Sequence, residues 1–244
     1  MQATIDRPTI ADDAQRLIDT LERGGVAIMP GDVGYGLLAG TEDAARKSFN
    51  AKRRASNKRH AMVGNMDIHS EVHVVTPQAR TIIDTLTLDY GIPLGIVAEF
   101  RRDHPLVKQL SDSLLSESTV NNTLAMLVNN GRFQEECARV SMERCVPMLG
   151  SSANLTGTGP RFRLDDIQPE IRAVADIEFD YGLRKFHLYR RSSTIIDFTT
   201  MQVVRIGALY DIITEVFATR FGIDLPEDPG FDTLPSGHLR KELA

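Results

Sequence analysis

Three polar segments of this chain carry side chains suited to holding an anion. The first, Ser151-Ser152-Ala153-Asn154-Leu155-Thr156-Gly157, follows the apolar run Val146-Pro147-Met148-Leu149 and brings hydroxyls, an amide and a glycine together. Such groups, with backbone N–H groups freed by glycine, can converge on phosphate or carboxylate oxygens, which accept several hydrogen bonds at once. The same composition serves ordinary turns, so the loop gains weight only from its company. The second segment, Lys52-Arg53-Arg54 with Lys58 and Arg59, concentrates cations in a chain whose net charge is −5. A solvated face is the plain explanation of such a run. A phosphate site would instead use lysine as a point charge and arginine as a planar fork. The third, Arg190-Arg191-Ser192-Ser193-Thr194, sets two arginines beside hydroxyls before Ile195-Ile196-Asp197.

Other chemistries fail for want of pattern. Residues 31–40 lack G-x-x-x-x-G-K-[ST], and the G-x-G at Gly34 and Gly36 has no third glycine, so neither standard nucleotide fingerprint fits. No G-x-S-x-G elbow supports a hydrolase triad. The histidines are scattered without an H-E-x-x-H pattern, which argues against a protein-held metal. His69 and His73, four apart, read as surface positions, and Cys137 and Cys145 read as reduced, buried thiols.

The elements that must position these segments follow from periodicity and punctuation. Thr9 with Asp12 forms a capping box for a helix through Ala14, Leu17, Ile18 and Leu21, stopped at Gly24-Gly25. Val26 to Met29 reads as a buried strand ended by Pro30, followed by a tight, ligand-accessible loop around Gly31, Gly34 and Gly36. Thr41 caps a second helix whose C-terminal end carries Lys52 and Arg54. Strands are expected at 72–75, 92–100, 123–128, 146–149, 177–179, 194–198 and 203–206, with a Thr76-capped, Pro77-started helix between the first two. The stretch from Asn129 to Arg144 fits helix or hairpin. Strands with interspersed helices, not strictly alternating, give an α/β domain with a mixed twisted sheet.

The length of 244 residues, 42% hydrophobic and 25% charged, suits a folded protein with a full core. Acidic residues outnumber basic ones 33 to 28, which removes the overall basic excess of a nucleic-acid binder and leaves room for a local basic cleft. No apolar run approaches the ~20 residues of a membrane span, and Met1 to Asp6 lacks signal-peptide features, so a cytoplasmic location is expected. We divide the chain into a domain at 1–208 and a C-terminal helix with an irregular tail at 209–244. Disorder is the plain expectation for the tail after Asp224, and a flap over the site is the sharper one.

Taken in order, Pro30-Gly31-Asp32-Val33-Gly34-Tyr35-Gly36-Leu37, Lys52-Arg53-Arg54, Ser152-Ala153-Asn154-Leu155-Thr156-Gly157, and Ser193-Thr194-Ile195-Ile196-Asp197 before Val204-Arg205-Ile206-Gly207 resemble the motifs of YrdC-like threonylcarbamoyl-AMP synthases. The resemblance spans about residues 10–208. It implies an α/β fold around a large concave, positively lined cavity. It also implies a reaction joining L-threonine, bicarbonate and ATP, with Mg²⁺, into threonylcarbamoyl-adenylate and pyrophosphate, and RNA or tRNA-modification partners downstream. On that basis Lys52, Arg54 and Ser152 are catalytic, and Ser152, Asn154, Ser193, Thr194, Arg205 and Arg139 bind nucleotide. Gly31, Val33, Tyr35, His60 and Asn65 line the substrate pocket.

The chain departs from the family pattern where an amino acid would be recognised. Two threonines of the P-T-x-T-x-Y-G-L motif are replaced by Gly31 and Val33, and the proline and histidine positions after the basic segment are absent. Losing hydroxyls should redirect specificity. The expected function is therefore a divergent adenylate-forming enzyme with an altered acceptor. The alternatives are a paralogue that makes or transfers another carbamoyl-adenylate, and a non-catalytic RNA- or nucleotide-binding module.

Overall fold

The computed structural model of the chain describes residues 9–53 and 59–239, and its elements begin where capping chemistry stands. Thr9 and Asp12 exchange side-chain and backbone hydrogen bonds at the start of α1 (Ile10–Glu22). Leu17, Ile18 and Leu21, on one face of α1, are fully buried, each contributing roughly 1.5–3 kcal/mol of transfer free energy. Thr41 caps α2 (Glu42–Ala51), Asn65 caps α3 (Met66–Val72), and Thr76 caps α4 (Pro77–Asp84) with Pro77 in its first turn. Two short helices, α5 (Pro105–Lys108) and α6 (Asp112–Ser118), precede α7 (Arg132–Arg144), which decides the helix-or-hairpin question for that stretch. Later come α8 (Pro169–Arg172) and α9 (Tyr210–Val216). From α9, Ile213 and Val216, with Phe217 just beyond, join the main core.

The strands are β1 (Val26–Gly31), β2 (Gly34–Ala39), β3 (Ala61–Val63), β4 (His73–Val74), β5 (Leu94–Phe100), β6 (Thr119–Val120), β7 (Thr123–Val128), β8 (Leu149–Ser152), β9 (Ile177–Glu178), β10 (Thr194–Asp197) and β11 (Gln202–Arg205). They form one sheet in the order β11-β10-β5-β7-β3-β8-β2-β1-β9, with β4 on β5 and β6 on β7. The β1–β9, β3–β7 and β5–β10 pairs are parallel and the others antiparallel. This is the mixed sheet with flanking helices that the sequence implies. One face is covered by α1 and α7, which pack on each other and on β1.

Four expectations need correction. Pro30 lies inside β1, paired with Tyr35. The Tyr35 N–H turns away from β1 and donates to the Arg161 carbonyl at 2.8 Å, so this is a non-hydrogen-bonded pair and the N–H that proline lacks costs no ladder bond. The glycine loop is a hairpin: Asp32 and Val33 form its turn, Gly34 at φ +125° opens β2, and Gly36 is a strand residue facing Ser152. The strand expected at 146–149 is displaced to Leu149–Ser152, because Ser151 and Ser152 pair with Leu37 and Gly36. Finally, His69 and His73 are buried, not on the surface. Their Nδ1 atoms lie 2.9 Å apart, so one neutral ring donates to the other. Burial above all, with the Arg80 charge, lowers the His69 pKa to about 4; burial and then the charge of His69 lower that of His73 to about 3. Cys137 is buried, and Cys145 is half-buried.

Candidate active site

The other face of the sheet is the floor of a cavity of about 580 Å³. Small side chains keep that floor low: Gly95 on β5, Ala125 on β7, Ala61 on β3, Gly150 on β8 and Gly36 on β2 all line it. Polar groups gather at two ends, on β8 and beyond β10. Four interstrand steps separate these strands, roughly 19 Å at the usual spacing.

The β8 end is built from the Ser151–Gly157 segment and the end of α2. Lys52 is the C-cap residue of α2, only 2% exposed, and its Nζ donates to the Ser152 carbonyl. The Thr156 N–H donates back to the Lys52 carbonyl at 3.2 Å, and the Ala153 N–H to the Tyr35 carbonyl at 2.8 Å. The polar loop is thus tied to both α2 and β2. Asn154 is 5% exposed and lines the cavity; its Nδ2 donates to the Leu155 carbonyl at 2.6 Å, while its Oδ1 has no hydrogen-bond partner among the described residues. A buried acceptor left so costs about 1–3 kcal/mol until a ligand donor or cation meets it.

The β10 end is built from Arg191, Ser193 and Arg205. Arg205 donates from Nε and Nη2 to the Ser193 carbonyl at 3.0 and 2.8 Å, and from Nη2 to Ser193 Oγ at 3.1 Å. Arg191 is 5% exposed, pairs with Asp228 at 2.6 Å and donates to the Leu234 carbonyl at 2.8 Å. Both partners belong to the tail, which crosses this end as a strap. The Ile206 N–H donates to the Gly237 carbonyl and the Leu239 N–H to the Val204 carbonyl, 2.8 and 3.0 Å. Phe231, with the Arg190 guanidinium 3.9 Å from its ring centre, also lines the cavity, as do Ser236 and His238. The flap reading of the tail, not disorder, describes residues 224–239.

Of the sequence candidates, Lys52, Ser152, Asn154, Ser193, Arg205, Val33, Tyr35 and His60 line this one cavity. Tyr35 and His60 contribute mainly as structure. The Tyr35 hydroxyl lies 3.1 Å from Asp180 Oδ1 and 3.0 Å from the Gly182 carbonyl, burial raises its pKa, and the His60 ring stacks on Phe49 at 3.8 Å. Four candidates lie elsewhere. Thr194 is fully buried, its hydroxyl donating to the Ala208 carbonyl and accepting from the Gly207 N–H. Asn65 caps α3 through its Oδ1. Arg139 stands on the outer face of α7, paired with Glu136 and Glu143. Gly31 is behind the cavity wall: an added Cβ would lie 1.9 Å from Asn130 Nδ2. Arg54 and Lys58 fall outside the described residues.

Sequence reading missed Asn130 and Gln134, which form a buried part of the wall. Asn130 Oδ1 accepts from the Val33 N–H at 3.0 Å, Asn130 Nδ2 donates to Gln134 Oε1 at 3.1 Å, and Gln134 Nε2 donates to the Gly64 and Leu127 carbonyls at 2.8 and 2.9 Å. The Asn129-Asn130-Gly131 turn signature was visible, but nothing local indicated its contact with the β1–β2 turn. Among the described residues, no group of three or more His, Cys, Asp or Glu side chains could hold a metal, and no helix is long and apolar enough to cross a membrane.

The mixed α/β sheet thus carries a cavity whose lining includes Lys52, Arg59, Arg191 and Arg205. The Sua5/YciO/YrdC family model, described as telomere recombination, matches residues 19–207, and the chain belongs to that family. Among solved structures, P. abyssi Sua5 complexed with L-threonine is similar at TM-score 0.70 and 17% identity, over 91% of this chain and 61% of that one. The hypothetical protein smu.1377c from Streptococcus mutans UA159 is similar at 0.69 and 17%, over 86% and 93% of the two chains. E. coli YciO is similar at 0.59 and 17%, over 83% and 91%. These likenesses show the shared fold. A comparison with curated protein sequences gives no match.

Proposed function

We propose that this protein is an adenylate-forming enzyme, joining a carbamate made from bicarbonate and a small amino-acid-like acceptor to the AMP moiety of ATP. The observation that carries this reading is the convergence of Lys52, Ser152 and Asn154 from one side, and Arg191, Ser193 and Arg205 from the other, on a single cavity. In the proposed step a carbamate oxygen attacks the α-phosphorus, the bond from that phosphorus to the bridging oxygen of the leaving group breaks, and pyrophosphate departs. No protein nucleophile is needed; alignment and charge neutralisation suffice.

Lys52 would neutralise ligand charge at the β8 end and Arg205 at the β10 end, the Ser152 and Ser193 hydroxyls would each donate to the part of the ligand at their own end, and Asn154 would orient it. Mg²⁺ would arrive with ATP and further neutralise its phosphates. Asn154 Oδ1, a buried acceptor with no hydrogen-bond partner among the described residues on a residue that lines the cavity, fits a ligand donor or a ligand-borne cation. The affinity of P. abyssi Sua5 for L-threonine, evident from its complex, supports an amino-acid-like acceptor here.

Pyrophosphate release and mass spectrometry of products from ATP, Mg²⁺, bicarbonate and a pool of amino acids test the reading. An AMP-linked carbamoyl product is expected. If no acceptor in the pool yields an adenylate, the enzymatic reading fails.

A further inference from the structure

The cavity contains a third wall that neither polar end explains. It starts at Val33, 3% exposed at the β1–β2 turn, and continues through Asn130 and Gln134 to Leu127 by the hydrogen bonds described above. Leu127 faces Val63 across the β3–β7 register. Val63 and Leu38 then meet over Gly150, where an added Cβ would lie 3.5 Å from Val63 Cγ2 and 2.4 Å from Leu38 Cδ2. Met29 and Met126 also line the cavity. The wall is thus continuous, and its side chains are aliphatic or thioether apart from two amides.

Those two amides are spent on the protein itself. Asn130 and Gln134 hold the Val33 N–H, each other, and the Gly64 and Leu127 carbonyls. A ligand hydroxyl laid against this wall would surrender its hydrogen bonds to water and meet methyl groups in return. A methyl group in the same place loses nothing and leaves water. The missing Cβ at Gly31 adds to this arrangement, because it is the space that Asn130 occupies to reach the turn.

We infer that this wall is the side-chain subsite of the acceptor and that it selects an aliphatic, hydroxyl-free side chain, with Val33 as a specificity-determining residue. The inference rests on the adenylate-forming reading and adds the chemical class of its second substrate. Valine and threonine have nearly the same shape, so the pair isolates the hydroxyl. An apolar pocket discriminates between such isosteres by roughly 10–100-fold.

Equilibrium binding of L-valine, L-leucine and L-threonine to the full chain, with ATP, Mg²⁺ and bicarbonate present, reads the preference directly, and ATP binding is measured in the same series. Valine or leucine binding at least ~10-fold tighter than threonine is expected. Threonine binding as tightly as valine overturns the inference, as does failure of both aliphatic ligands to bind while ATP binds. Adenylate formation from threonine would in that case leave the proposed reaction standing, whereas aliphatic binding without any adenylate would remove the reaction and keep the subsite. The Val33→Thr variant, nearly isosteric, should move the valine-to-threonine ratio toward threonine by ~10-fold or more. Val63→Thr is the second variant if the turn does not tolerate the change. An unaltered ratio in a folded variant overturns the assignment.

Discussion

The two polar ends of the cavity are fixed by different means. The β8 end is embedded in strand ladders: Ser151 and Ser152 pair with β2, Ala153 with Tyr35, and the loop beyond returns a hydrogen bond to α2. The β10 end is closed by a strap whose anchors include the Arg191–Asp228 pair, the Arg191 contact to Leu234, two backbone hydrogen bonds to β11 and its flank, the Tyr210 hydroxyl on the Pro226 carbonyl, Phe231 under Arg190, and Leu225 and Leu234 packed on Val203, Ile206 and Tyr210. Ladder hydrogen bonds break cooperatively with the sheet, while a strap outside the ladders can open as a separate unit. The difference teaches that one end of the cavity is held by the sheet itself, and the other by a segment laid across it.

The largest test removes the charge from the fixed end. Lys52→Ala should cut pyrophosphate release by about 10²-fold, corresponding to the ~3 kcal/mol typical of a lost transition-state donor. The thermal midpoint of the same variant checks that the fold survives, and an undiminished rate would detach the β8 end from catalysis. Next in size is Gly207→Ala, at the junction below the strap. Its Cβ would come within 2.2–2.3 Å of backbone atoms of Ser192, Ser193 and Thr194, so urea unfolding should report a loss of about 2–3 kcal/mol.

Asp228→Asn addresses the strap itself. Replacing the carboxylate weakens a charge-assisted bond worth ~1.5–2 kcal/mol for a partly buried pair. Hydrogen exchange should quicken within residues 224–239 and stay unchanged in β2 and β8; equal quickening in both would erase the distinction between the two ends. The smallest effect belongs to a control remote from either, the His69–His73 pair. Both rings have folded-state pKa values, about 4 and about 3, below the unfolded value near 6.5, so the unfolded state binds more protons as pH falls. Stability should be full above that unfolded value and decline as pH drops toward 4, by on the order of 1 kcal/mol between pH 7 and 6 for the pair. Denaturation at the two pH values measures it, and substituting both histidines by leucine should flatten the slope.

How much of this was legible in the sequence depends on how local its cause was. The Thr9–Asp12 capping box, the Thr41 and Thr76 caps and the apolar run Thr123–Val128 carry their own instructions, and each element formed where expected. The glycines of Gly34-Tyr35-Gly36 give β2 little strand propensity of its own; its pairing with β1 and β8 supplies what the residues lack. The same pairing pulled Ser151 and Ser152 out of a loop and into a strand. Both line the cavity, while their backbone answers to residues over a hundred positions earlier. Arg191 stood out as one of two arginines beside serines, whereas its partner Asp228 sits in a Pro- and Gly-rich stretch with no periodicity to announce it. Arg139 misled in the opposite way, since a motif position placed an exposed helix residue in the site.

The parallel pairing of β10 with β5 has a consequence for how the protein is made. Leu94 to Val97 present an unpaired strand edge until Thr194 to Asp197 have been synthesised, and between them in the chain lie β7 and β8, which supply Ala125 and Gly150 of the cavity floor. Such distant pairings slow folding, and an apolar edge left waiting is a template for aggregation. A nascent chain halted anywhere between β5 and β10 would therefore hold a half-built floor with an open side. Chaperone dependence during synthesis should be greatest in that interval and end when β10 docks.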